Sequence, residues 1–205
     1  MKLTDIYKRF DGKQVLAGFS CEFPEGETTC ILGISGGGKT TLLRIMMGLI
    51  QPDSGEISGM QGKRISAVFQ EDRLCMGFTA SANIRLVNQS LSKEEAGKML
   101  AEAGLPNGSL PVRDFSGGMR RRVAILRALA AEYDILFLDE PFRGLDEETR
   151  MKMMIYLQES AKGKTVICVT HDEDEAKFLG TAPFVRIPEF ISKTLSHKIS
   201  ISSLL

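Results

Sequence analysis

The sequence predicts an α/β fold with a mainly parallel sheet, an N-terminal antiparallel β region and a small inserted helical region. Three observations predict it. Strand-like apolar runs alternate with helical patterns, the order that builds parallel sheets. The run Cys30-Ile31-Leu32 passes into Gly33-Ile34-Ser35-Gly36-Gly37-Gly38-Lys39-Thr40, which opens a helical pattern through Leu42, Leu43, Ile45 and Met46. Ile135-Leu136-Phe137-Leu138 is a continuous apolar run, as a fully buried parallel strand requires, and it delivers Asp139 and Glu140.

In chain order, a strand is expected near Leu3–Ile6, a turn at Asp11-Gly12, a second strand over Val15–Phe23, the turn Pro24-Glu25-Gly26, and a third strand into the glycine-rich loop. The following helix is expected over Lys39–Ile50, apolar on most sides and stopped by Gln51-Pro52-Asp53-Ser54-Gly55. Ile65–Phe69 reads as a strand ending at Gln70, after which the composition changes and a short helical region begins. Ser92-Lys93-Glu94-Glu95 has capping-box form for a helix that Gly104 and Pro106 end. Ser116-Gly117-Gly118 opens a helix through Val123, Leu126, Leu129 and Ala130. Beyond the Ile135–Leu138 strand, Asp146 caps a helix to about Lys162, and Thr165–Val169 forms a strand ending at Thr170-His171. One domain is expected over 1–205: a core of 1–70 and 119–187, a helical subdomain of about 71–118, and a tail, 188–205, to which no role is assigned.

At 205 residues and 43% hydrophobic the chain can bury a sizeable core. Lys+Arg and Asp+Glu balance at 26 each, so no global basic field exists to hold nucleic acid. Four cysteines, Cys21, Cys30, Cys75 and Cys168, lack metal or redox spacing and read as thiols of a reducing compartment. No apolar run approaches the ~20 residues of a membrane span, so a cytosolic protein, or one bound to a membrane through a partner, is expected. Arg120-Arg121-Arg122 point in different directions on a helix and read as a solvated face with local carboxylate partners.

Gly33–Thr40 is a phosphate-binding loop. Gly33, Gly36, Gly37 and Gly38 let backbone N–H groups turn inward around Ser35 toward an anion; the helix adds its dipole, Lys39 a point charge, and Thr40 a hydroxyl that reaches Mg²⁺, with Thr41 beside it. Asp139, at the end of a buried strand, can hold Mg²⁺ directly or through water, and Glu140 suits a general base or water-orienting group. Ser116, Gly117 and Gly118, at a helix N-terminus, are either an anion site or a plain cap.

With Phe115-Ser116-Gly117-Gly118-Met119 and Thr170-His171-Asp172, the chain closely resembles the nucleotide-binding subunit of ABC transporters over roughly residues 1 to 187. The resemblance implies a P-loop NTPase core. It matches Gly33–Thr40 to the Walker A loop, Gln70 to the Q-loop, Phe115–Met119 to the signature, Ile135–Glu140 to Walker B, Gly144-Leu145-Asp146 to the D-loop, and His171, one of two histidines, to the switch histidine. It implies that Gln70, with Thr40 and Asp139, touches the metal, that Glu140, His171 and Gln70 act in hydrolysis, and that adenine stacks on Phe10, with Tyr7 the rival. Ser116, Gly117, Gly118 and Met119 would act across a head-to-tail homodimer closed on ATP. The partners implied are membrane-spanning permease subunits bound through the region after Gln70, and an extracytoplasmic solute-binding protein, with no nucleic acid. The place implied is the cytoplasmic face of the membrane. Leu74, Cys75, Met76 and Phe78 read equally as a cleft for a permease helix or as core of the helical lobe.

Two departures stand out: Met119 replaces the commoner Gln, and Arg143-Gly144-Leu145-Asp146 varies the D-loop. Met119-Arg120, Phe69–Leu74, Asp139–Phe142 and Thr170–Ala176 are similar to importers of the nitrate, sulfonate and taurine type. The short helical region and tail leave no room for an extra regulatory domain. The competing readings are a soluble ABC ATPase acting on ribosomes or DNA, an ABC exporter subunit, and a nucleotide-binding module without turnover, which intact Glu140 and His171 oppose.

Overall fold

A computed structural model describes residues 1–34, 36–181 and 183–187. Ser35 and the tail 188–205, which carries the second histidine, His197, therefore lie outside the described residues.

Two sheets enclose one helix. The antiparallel sheet has the order β2-β1-β4, with β1 Lys2–Phe10, β2 Lys13–Glu22 and β4 Ser54–Ser58; the parallel sheet has the order β5-β6-β7-β3-β8, with β3 Thr28–Leu32, β5 Ile65–Val68, β6 Ile135–Asp139, β7 Thr165–Thr170 and β8 Val185–Arg186. Between them lies α1, Lys39–Met46, whose Leu42, Leu43, Ile45 and Met46 meet Leu3, Ile6, Leu16 and Phe19 on one side and Ile31, Phe137, Ile167 and Val169 on the other. That is why this helix is apolar on most of its surface. The period of two sends Cys30, Leu32, Leu136, Leu138, Val166 and Cys168 to the opposite face of the parallel sheet. There they share a core with α2 Ala80–Arg85, α3 Lys93–Glu102, α4 Gly117–Ala130 and α5 Glu147–Ser160. The last helix, α6 Glu173–Leu179, packs on β3 and β7.

The expected alternation of strands and helices is present; α6 and the short edge strand β8 extend it beyond His171, and three other details differ. The first helix ends at Met46 rather than Ile50, because Gly48 takes a left-handed turn at φ 71°. The strand β4 was not anticipated, since Ser-Gly-Glu-Ile-Ser holds a single apolar residue. It forms because Gly55, at φ 103°, brings β4 so close to β1 that an added Cβ would lie 2.4 Å from the Asp5 carbonyl oxygen. The third difference is Arg121, which is not on a solvated face. It is 3% exposed, the most buried of the three arginines.

Local signals explain the ends of the helices. Ser92 and Glu95 form a reciprocal capping box at α3, and the side chains of Ser116 and Asp146 accept from the Met119 and Thr149 N–H groups at α4 and α5. Among the described residues, no helix is long and apolar enough to cross a membrane.

Candidate functional site

The parallel register sets the site. Leu32 pairs with Thr170, Asp139 with Val169 and Val68 with Leu138, so β3, β5, β6 and β7 end level with one another. The loops leaving their C-terminal ends carry Gly33–Thr40, Gln70, Glu140 and His171, in the crevice where open α/β sheets take ligands.

Gly36, Gly38, Lys39, Thr40, Thr41, Gln70 and Glu140, with Val15, line one cavity of about 340 Å³. Gly38 stands at φ 89°, and an added Cβ would meet Val15 Cγ1 and the Val15 carbonyl oxygen at 3.0 Å, so this turn requires glycine. Lys39 is buried, its Nζ donating to the Gly33 and Ile34 carbonyls at 2.6 and 2.8 Å. Burial lowers its ammonium pKa, against the pull of Glu140 and Asp139. Asp139 lies behind the cavity, 3% exposed. Burial raises its carboxyl, the Thr40 hydroxyl works the other way, and Arg44 and Arg121 counter its charge at longer range. A buried carboxylate beside the Thr40 hydroxyl, behind a cavity lined by this glycine-rich loop, fits a hard divalent cation carried in with a nucleotide.

Glu140 has φ 47°, an uncommon backbone for a non-glycine residue. Its N–H donates to the Val169 carbonyl at 2.8 Å and its own carbonyl accepts from Arg121 Nη2, so both sides are held. The carboxylate meets His171, whose side chain is 64% exposed, at 3.3 Å from Nδ1 to Oε1. The flanks of His171 are fixed: Thr170 Oγ1 donates to buried Glu175 at 2.6 Å, and Asp172 caps α6 while accepting from Arg150 Nη1 at 2.8 Å.

Ser116, Gly117, Gly118 and Met119 lie outside this cavity. The Ser116 hydroxyl caps α4, Ser116 and Gly117 are exposed, and Gly118 packs against Leu145 and Gly144, where an added Cβ would meet Leu145 Cδ2 at 3.4 Å. Phe10 and Tyr7 are also outside it and equally exposed, at 42% each. The Lys8 ammonium sits over the Phe10 ring, whereas the Tyr7 hydroxyl closes over Gly18. Of Leu74, Cys75, Met76 and Phe78, Leu74 packs against the core, while the other three are exposed. Buried Asn83 holds this turn by the Cys75 N–H and carbonyl, at 2.8 and 3.1 Å.

Sequence reasoning missed Arg121. The signal was the helical period, which places Arg121 in line with Ala124, Ile125 and Ala128 on the buried side of α4.

A profile described as ABC transporter matches residues 16–143. The chain belongs to the ABC transporter family. As an ABC cassette it binds and hydrolyses ATP. It is 40% identical over 185 residues to the aliphatic sulfonates import ATP-binding protein SsuB 1 of Pseudomonas syringae pv. syringae, spanning 86% of this chain and 77% of that one. It is 38% identical to the SsuB 3 protein of the same description from Rhodococcus jostii, over 86% of this chain and 67% of that one. In three dimensions the cassette is similar to a dimeric ATP-binding cassette in a post-hydrolysis state bound to ADP and Pi, with a TM-score of 0.77, 29% identity and coverage of 91% and 93% of the two chains. The cassette shares the fold of that solved relative.

Proposed function

We propose that this cassette powers the import of an aliphatic sulfonate or a related small anion through separate membrane-spanning permease subunits, at the cytoplasmic face of the membrane. The ATPase chemistry rests on the convergence of Lys39, Thr40, Gln70 and Glu140 on one cavity, with His171 against Glu140. The solute class is supported by the import proteins named for aliphatic sulfonates at about 40% identity.

In this reading the phosphate loop, including Gly33, Ser35, Gly36, Gly37, Gly38 and Thr41, cradles the ATP phosphates, and Lys39 leaves the Gly33 and Ile34 carbonyls for the β- and γ-phosphate oxygens. Thr40, Asp139 and Gln70 would hold Mg²⁺, which would supply charge neutralisation to the phosphates. Glu140 polarises the attacking water, and His171 and Gln70 hold the γ-phosphate in line. Adenine stacks on Phe10. Two cassettes close head to tail on ATP, with the exposed Ser116-Gly117 turn, Gly118 and Met119 meeting the nucleotide of the opposite cassette, as the dimeric neighbours support. Residues 71–118 form a helical subdomain whose exposed Met76 and Phe78 receive the permease, and an extracytoplasmic binding protein delivers the solute.

The test is uptake of a labelled alkanesulfonate by cells carrying the chain or a Lys39→Ala variant, with affinity purification from gently solubilised membranes. Uptake lost in the variant, with a multi-span subunit recovered at equal stoichiometry, supports the proposal. Uptake unaffected by the variant rejects the solute, and recovery only with soluble ribosomal or DNA-repair proteins rejects the transport reading while leaving the ATPase.

A further inference from the structure

The arginine that the sequence assigned to solvent is the most heavily bonded side chain near the site. Its guanidinium donates to six oxygens at 2.5–3.4 Å: the carbonyls of Phe69, Gln70, Asp139, Glu140 and Pro141, and Asp72 Oδ1. Five are main-chain oxygens of two loops that are otherwise separate exits from β5 and β6. A guanidinium is a planar fork whose donors diverge in fixed directions, so one side chain sets the spacing of both loops at once. Further along α4, Arg127 donates to the Asp72 and Arg73 carbonyls at 3.1 and 2.9 Å, so the segment after Gln70 rests on α4 at two points.

One of the six acceptors is the carbonyl of Glu140, at the strained φ of 47°. The strained residue is held by β7 through its N–H and by Arg121 through its carbonyl. The backbone from which the Glu140 carboxylate projects is thus gripped from α4 on one side and from β7 on the other.

We propose that Arg121 is a positioning residue for ATP hydrolysis: it ties the Phe69–Asp72 segment to the Glu140 backbone, so that the placement of that segment sets the placement of the Glu140 carboxylate. The proposal rests on the reading of Glu140 as the group that polarises water. Arg121 touches neither nucleotide nor water in this scheme; its effect passes through Glu140, so it belongs to turnover and not to binding. Misplacing a reacting group by about an ångström costs on the order of a hundredfold in rate.

The test is a double-mutant cycle on the full chain, read by nucleotide affinity, by thermal unfolding and by single-turnover ATP hydrolysis at a temperature where every variant is folded. Arg121→Met is expected to slow hydrolysis by roughly ten- to a hundredfold with ATP affinity within about threefold of the parent. The same change in a Glu140→Gln background is expected to cost nothing further, because the group it positions is already gone. Arg121→Lys keeps the buried charge without the fork; it is expected to fold and to be slow in the same way, and it carries the cycle if the methionine variant does not fold. An equal loss in both backgrounds, or a fall in affinity matching the fall in rate, would show a general structural tie and overturn the proposal. A normal rate in the Arg121 variants beside a slow Glu140→Gln protein would also overturn it and leave the base reading intact. Full turnover in Glu140→Gln alone would remove the base reading and the proposal with it.

Discussion

His171 Nδ1 lies 3.3 Å from Glu140 Oε1, although the two residues are 31 positions apart in the chain. They meet because Asp139 pairs with Val169 across β6 and β7, which brings both strand ends to the same level. The pair joins an acid held in a strained backbone to an exposed imidazole on the neighbouring loop.

If Glu140 polarises the water, Glu140→Gln should retain ATP affinity and lose hydrolysis by on the order of a hundredfold or more, the usual range for a general base. His171→Ala should also slow turnover, and the double variant should be little worse than Glu140→Gln because the two act together. Phosphate release with parallel binding measurements decides this. Full turnover in Glu140→Gln excludes it as the base.

Asp139 links activity to stability through its burial. Its folded carboxyl holds a proton to higher pH than the unfolded chain does, so the native state binds more protons in the window that opens at about pH 4, the unfolded aspartate range. Stability therefore falls as pH rises through that window, and the cost is complete above the folded value. Asp139→Asn cannot ionise and escapes the cost: the nucleotide-free variant should melt higher than the parent at pH 7 and lose that advantage near pH 3, while ATPase activity drops by on the order of a hundredfold. A melting temperature at pH 7 below the parent's contradicts this account.

Phe10 and Tyr7 are separable. A stacked base is worth about 1–3 kcal/mol, so Phe10→Ala should weaken ATP binding by roughly 5- to 150-fold without unfolding the chain. Tyr7 covers Gly18, so Tyr7→Ala should lower the melting temperature and spare affinity. Calorimetric titration of both variants checks this, and the reverse pattern transfers the stacking role to Tyr7.

The capping box at α3 offers a change away from the chemistry. Ser92→Ala removes the acceptor of the Glu95 N–H and should cost about 1 kcal/mol in denaturant unfolding, with ATPase activity unchanged. A loss of activity greater than the loss of folded protein would tie α3 to turnover.

Local signals carried much of this protein. Glycine spacing, an apolar run and a capping box are short-range patterns, and each acts through the backbone of its own few residues: the Gly33–Thr40 loop between strand and helix, the fully buried Ile135–Asp139 strand, and the caps at Ser92, Ser116 and Asp146 were all legible in the residues themselves. Tertiary structure decided what depends on residues distant in sequence. Strand β4 exists because Gly55 admits the close approach of β1, an interaction its own five residues do not advertise. Whether Leu74 is core and Met76 surface depends on what packs over each. Arg121 shows the division most sharply: three consecutive arginines look alike as charges, but the turn of α4 and the arrival of two loops from elsewhere in the chain bury one of them, where backbone carbonyls replace the water it gives up.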